Sequence, residues 1–335
     1  MIIIILSVIL INLIIFYYLD KISKIINLYD LPNQKLKLHK KKTSLIGGTI
    51  FVFNIILLFI FDQFISINFF DIFLIQEKQF IFLIILVFFF IAGFYDDKKN
   101  LNSYLRFFLL ILMSAIYIFL DQNLLIKKVT LSFYDHKIFF NSYSTIFTIF
   151  CFIILINALN FYDGINGQSL LYFIFTFSYL FFLTNRHEFY GFILIILIFL
   201  LVLNFKNKLF LGDNGIYSLG ITLSASIIYE HNAHNKFIFA DEIFLLLLLP
   251  GLDLLRLTIF RLYQRKNPFI GDRNHIHHLL IKRYSLFCTN LILIILAVMP
   301  IFASKILKLD FFMVIMIFFI IYSSVILKFH KYESF

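Results

Sequence analysis

The 335-residue chain has no tryptophan, two cysteines, four prolines and eleven glycines, and only 14% of its residues are charged. Each shortage excludes something. Without tryptophan there is no indole belt to mark where helices meet a membrane surface. Cys151 lies inside an apolar run and Cys288 near the start of another, neither in a CxxC or zinc-ligand spacing, so no disulfide and no structural metal are expected. No Pro-, Gly- or Ser-rich linker divides the chain, and a longest polar stretch of about 25 residues is too short to fold alone, so residues 1–335 read as one domain. The stretch from Ile2 to Leu19 lacks a basic flank and a small-residue cleavage site, and reads as a first membrane helix rather than a signal peptide.

What is present is apolar. Hydrophobic residues make up 61% and the mean hydropathy is +0.94, beyond what a soluble domain of this length carries. The net charge of +10 comes with no nucleic-acid motif, so basic loops beside anionic lipid explain it better than a nucleic-acid partner. A bilayer core needs roughly 20 apolar residues in a helix. Eleven segments come close: Ile2 to Leu19, Leu45 to Phe61, Phe80 to Tyr95, Tyr104 to Leu120, Phe139 to Asn160, Ser169 to Thr184, Phe189 to Asn204, Gly215 to Tyr229, Ile243 to Tyr263, Tyr284 to Ala303 and Phe311 to Leu327. The expected architecture is therefore all-α, a polytopic bundle of about 11 transmembrane helices. If they alternate, the loops after odd-numbered helices collect 20 lysines and arginines and the opposite loops 8. The positive-inside rule then puts the N-terminus outside and the basic loops in the cytoplasm.

Four polar clusters fall on that same side: Asp96-Asp97, Asn157 to Gly167, Gly212-Asp213 and Asp272 to His278. Two adjacent carboxylates at the end of the third helix are disfavoured by its dipole, so either Lys98 and Lys99 neutralise them or a cation or phosphate-bound magnesium does. Asn157, Asn160 and Asp163 follow an i, i+3 row on one helical face, although Asn, Asp and Gly also simply end helices. Asp213 between Gly212 and Gly215 is either a helix cap or a hard oxygen ligand. Asp272, Arg273, His275, His277 and His278 crowd into a basic loop without the spacing of a zinc site, and suit a diphosphate better.

In this order and at these helix ends, the four clusters resemble the polyprenyl-phosphate N-acetylhexosamine-1-phosphate transferase family, glycosyltransferase family 4. The likeness runs from about Asp30 to Leu280 and includes Asp30-Leu31-Pro32-Asn33, Lys37, His39 and Gly47-Gly48; Tyr104, Asn214 and Ile216 depart from the commoner residues. The His-Ile-His-His form is similar to the undecaprenyl-phosphate GlcNAc-1-phosphate branch. The resemblance implies transfer of a sugar 1-phosphate from a UDP-N-acetylhexosamine to polyprenyl phosphate, in the first membrane step of cell-envelope polysaccharide synthesis such as O-antigen, at the cytoplasmic face of a bacterial inner membrane. It also implies magnesium, replaceable by manganese, and a homodimer. On this basis Asp96, Asp97 and Asp163 are expected to be catalytic. Asn157, Arg106, Asp272, Arg273, His275, His277 and His278 would bind substrate, and Asp213 with Asn160 would hold the metal. The rival class is a secondary transporter, suggested by Asp253 and Arg256 within the ninth segment, although those two can also pair and fix helix packing.

Overall fold

A computed structural model describes residues 2–31, 42–65, 69–73, 75–233, 238–266 and 274–330. The chain runs α1 (Ile2–Tyr17), α2 (Leu19–Ile26), β1 (Tyr29–Asp30), β2 (Thr43–Ser44), α3 (Gly47–Ile65), α4 (Gln76–Lys99) and α5 (Ser103–Leu120). It continues through β3 (Lys128–Leu131), β4 (Tyr134–Phe139), α6 (Ser144–Tyr162), α7 (Gln168–Leu183), α8 (His187–Phe205) and α9 (Gly212–Asn232). The last helices are α10 (Ala240–Leu246), α11 (Leu248–Tyr263), α12 (Ile276–Ile281), α13 (Leu286–Lys305) and α14 (Phe311–His330).

Each of the eleven expected segments coincides with helix, but they are not alike. Among the described residues seven helices are long and apolar enough to cross a membrane, or nine if each of two bent pairs is one span. This marks a multi-pass membrane protein. The expected span Ile2 to Leu19 breaks at Tyr18, where α2 turns off α1 by 71°. The expected span Ile243 to Tyr263 breaks at Leu247, where α10 and α11 meet at 69°. Pro250 explains the second bend, because it has no N–H to offer the Leu246 carbonyl one turn earlier. The Tyr172 hydroxyl donates to that carbonyl instead, at 3.0 Å.

The helix expected from Phe139 begins later. Lys128–Leu131 and Tyr134–Phe139 pair as an antiparallel hairpin ahead of it, and a second small hairpin joins β1 and β2. The core is built around α9, with α3, α4 and α6 against it. Nineteen of its 21 residues are buried, and it is absent from the set of long apolar helices. Ser218, Thr222, Ser224 and Ser226 hide their hydroxyls by donating to carbonyls four residues back, each at 2.7 Å. Small residues let its neighbours come close: a Cβ on Gly48 would lie 2.0 Å from Asn214 Oδ1, and one on Gly93 would lie 2.5 Å from the Asn214 Cα. The β2 strand and its extension clamp the approach to α9. Phe210 N–H donates to the Ser44 carbonyl at 2.8 Å, and Gly47 and Gly48 N–H groups donate to the Phe210 and Leu211 carbonyls.

Candidate active site

The first turn of α9 is where the polar clusters meet. Gly212 adopts φ +73°, a left-handed turn that aims the N–H groups of Asp213 and Asn214 out of the helix end. No side chain of its own loop caps this end. Asp97 does so from α4: its Oδ1 accepts from Asp213 N–H at 2.9 Å, and its Oδ2 from Asn214 N–H at 3.0 Å and Asn214 Nδ2 at 2.5 Å. Asn214 Nδ2 also donates to the Leu45 carbonyl at 2.8 Å, tying the β2 extension to the same corner.

Asp96 points elsewhere. Its buried carboxylate faces the Arg106 guanidinium on α5, with Nε at 2.7 Å and Nη2 at 2.9 Å. It also accepts from the Tyr217 hydroxyl and the Leu101 N–H, both at 3.0 Å. The two aspartates that are awkward at the C-terminus of α4 are thus matched by a guanidinium and by the positive end of another helix. Lys98 and Lys99 are exposed.

Asn160, near the end of α6, donates from Nδ2 to Asp213 Oδ1 at 2.8 Å. Among the described residues, no hydrogen bond occupies the Asn160 amide oxygen or Asp213 Oδ2. A shallow cavity beside this pair is lined by Ser103, Arg106, Phe107, Asn157, Asn160 and Phe161. Asn157 anchors its amide on the Ile153 carbonyl at 2.8 Å. Asp163 ends α6 with an exposed carboxyl that accepts from the Ser169 hydroxyl at 2.7 Å. Surrounding protein pushes that carboxyl up to about 6, against the pull of the Ser169 hydrogen bond.

The histidine loop closes the site from α11 and α12. His275 is buried, with Nδ1 2.8 Å from Asp253 Oδ2 and Nε2 3.4 Å from Arg261 Nη2. A carboxylate only accepts and a guanidinium only donates, so these contacts fix the tautomer with its proton on Nδ1. The ring stacks on Phe161, 5.6 Å between centroids, and the Arg261 guanidinium lies over the same phenyl ring. His277 is also buried; its Nδ1 is 3.2 Å from Gln168 Nε2, and its Nε2 packs against Gly164. Burial, and then the neighbouring imidazoles of His278 and His275, hold His277 well below the usual histidine range. His278 is half-buried and packs against the His277 ring. Asp272 and Arg273 lie outside the described residues.

Of the twelve candidate residues, Asp272 and Arg273 lie outside the described residues, and the structure brings the other ten into one region. Tyr217, Gln168, Ser169, Phe161, Asp253 and Arg261 complete it. Tyr217 stands four residues after Asp213 on one helical face, a spacing that would have flagged it; Gln168 carried no such signal.

The arrangement is a multi-pass membrane protein with a polar site where four segments converge. Residues 79–231, a little under half of the chain, match the family model of glycosyl transferase family 4, which supports a transferase. The matched stretch holds Asp96, Asp97, Arg106, Asn157, Asn160, Asp163 and Asp213, and ends before the histidine loop. A search of the curated proteins finds no match.

Proposed function

We propose that the chain transfers a sugar 1-phosphate from a UDP-N-acetylhexosamine to a polyprenyl phosphate, releasing UMP, with the site facing the cytoplasm of a bacterial cell. The observation that carries this reading is the Asp213–Asn160 pair at the start of α9, beside a cavity walled by Arg106 and Asn157. One carboxylate, one amide oxygen and one guanidinium suit a diphosphate and its counter-ion, and the family match covers all four residues.

The donor set fits magnesium. Among the described residues no three His, Cys, Asp or Glu side chains converge as a metal cage. A cation here would lean on Asp213, the Asn160 oxygen and substrate phosphate oxygens, the open ligation that magnesium accepts. Bound there, it would neutralise the diphosphate and polarise the phosphorus under attack.

A terminal oxygen of the lipid phosphate attacks the sugar-proximal phosphorus; the bond from that phosphorus to the bridging oxygen breaks, and UMP departs. One diphosphate linkage is exchanged for another, so positioning and charge neutralisation supply the catalysis. Arg106, held by Asp96, which also accepts from the Tyr217 hydroxyl, meets phosphate charge at the cavity. Asp163, its carboxyl pushed up to about 6, stands three residues after Asn160 and can hold or release a proton there. Its contribution as a base is modest, because a phosphate monoester with a second pKa of about 6 is already mostly ionised at neutral pH. His275 and His277 wall the site, one stacked on Phe161 and the other beside Gln168. A transport role is disfavoured because Asp253 and Arg256 are spent on each other, on Tyr322 and on His275.

The test is UMP release by purified protein from UDP-GlcNAc and undecaprenyl phosphate, with and without magnesium, beside Asp213→Asn. Magnesium-dependent release lost in the variant supports the reading. No release from any UDP-acetamido sugar, with folded protein, overturns it.

A further inference from the structure

We infer that Asp97 acts as a positioning residue, a cap supplied by α4 to the N-terminus of α9 that holds Asp213 at its working place, and not as the base that its position beside Asp96 suggests. The inference rests on the proposed transferase reading only for what Asp213 does; the cap itself rests on geometry. Three donors converge on the Asp97 carboxylate, two of them backbone N–H groups of Asp213 and Asn214 and the third the Asn214 side chain. These are the N–H groups that an N-cap residue normally satisfies from within its own helix, and Leu211 at that position provides no side-chain cap. A Cβ on Gly212 would fall 2.8 Å from Asp97 Oδ2, so the left-handed glycine is what admits the foreign carboxylate.

The same three hydrogen bonds specify Asp213. Its backbone N–H is tethered to Asp97 while its carboxylate takes Asn160, so main chain and side chain are fixed from α4 and α6 separately. The Asp97 carboxylate is engaged by three donors at the start of α9 and is not among the residues that line the cavity, which places it poorly to take a proton from a substrate there. Removing it frees the first turn of α9 and lets the Asp213 carboxylate wander, which weakens a metal site indirectly.

Amide hydrogen exchange on the full chain in detergent, read over residues 209–217, tests the cap directly in Asp97→Asn and Asp97→Ala. Faster exchange at the start of α9 is expected in both, greater in the alanine variant. Manganese binding followed by electron paramagnetic resonance should weaken by about ten- to a hundred-fold, as for other residues that orient a ligand. Turnover should recover when metal is raised, with KM for the lipid acceptor unaltered. Unchanged exchange in both variants overturns the inference. So does unchanged metal affinity with turnover lost at every metal concentration, which would return Asp97 to a direct role. Should no sugar nucleotide support transfer, the exchange result still decides the cap while the functional reading fails separately.

Discussion

Replacing Gly93 with alanine is a sharp perturbation of the seam on which the site depends. A Cβ there would meet Asp213 O and Asn214 Cα at 2.5 Å and Asn214 N at 2.6 Å, all of them backbone. No rotamer change relieves a clash with main chain. Restoring the 3.4 Å of ordinary contact opens the α4–α9 seam by 0.9 Å. Overpacking of this kind costs about 1–3 kcal/mol. Displacing the Asp213 end of α9 by nearly 1 Å should also slow transfer by roughly 10²-fold, the loss expected when reacting groups are misplaced by that distance. Gly251, in α11, is the control: nothing lies within 4 Å of its Cβ position, and alanine there should be neutral or stabilising by about 0.5–1 kcal/mol. The assay is the folded fraction surviving a heating series, read by size exclusion in detergent, beside UMP release under saturating substrate. A Gly93→Ala protein as stable and as active as the parent would refute the close approach of the two helices.

Asp253→Asn should destabilise the protein by about 3–5 kcal/mol, seen as an earlier thermal transition, because it withdraws the counter-charge from Arg256 among buried partners. Gly164→Ala should drive His277 off Gln168, since its Cβ would sit 1.8 Å from His277 Nε2; lower activity with a disturbed His277 imidazole resonance checks it. If Asp163 must be ionised, activity rises with pH through about 6, and Ser169→Ala should move that limb to higher pH by removing the hydrogen bond that favours the carboxylate. A limb that stays in place would belong to the acceptor phosphate instead. For stability the sign runs the other way: between 3.8 and 6 the native state holds a proton that the unfolded chain releases, so stability falls as pH rises through that window, slightly, because solvent screens the exposed group.

Hydropathy marked most of the helical stretches, because burying a backbone in lipid demands long apolar runs whatever their neighbours, but not how many of them cross the membrane. It also located the clusters, since Asp, Asn and His are costly anywhere but at helix ends or enclosed positions. Partners across more than a hundred residues left no local trace. Nothing near Asp97 announces that its acceptors face Asp213 and Asn214, and nothing near Asp96 points to Tyr217. The 69° bend had a local cause in Pro250, yet a count of apolar residues passes over it. The β3–β4 hairpin was missed because its short strands carry Lys128, Asp135, His136 and Lys137, and a window tuned to apolar spans takes in only its last residue, Phe139.

The almost wholly enclosed α9 ties the route of synthesis to the finished fold. Four back-bonded hydroxyls, Glu230 and His231 make it a poor candidate to leave the insertion machinery for lipid unaided. Its walls, α3, α4 and α6, are all made before it. The nascent chain thus builds a berth before the helix that needs it emerges, and the order of genes' codons doubles as an assembly order. Moving α9 ahead of α3 by circular permutation would strand its polar first turn outside the shelter that makes it possible.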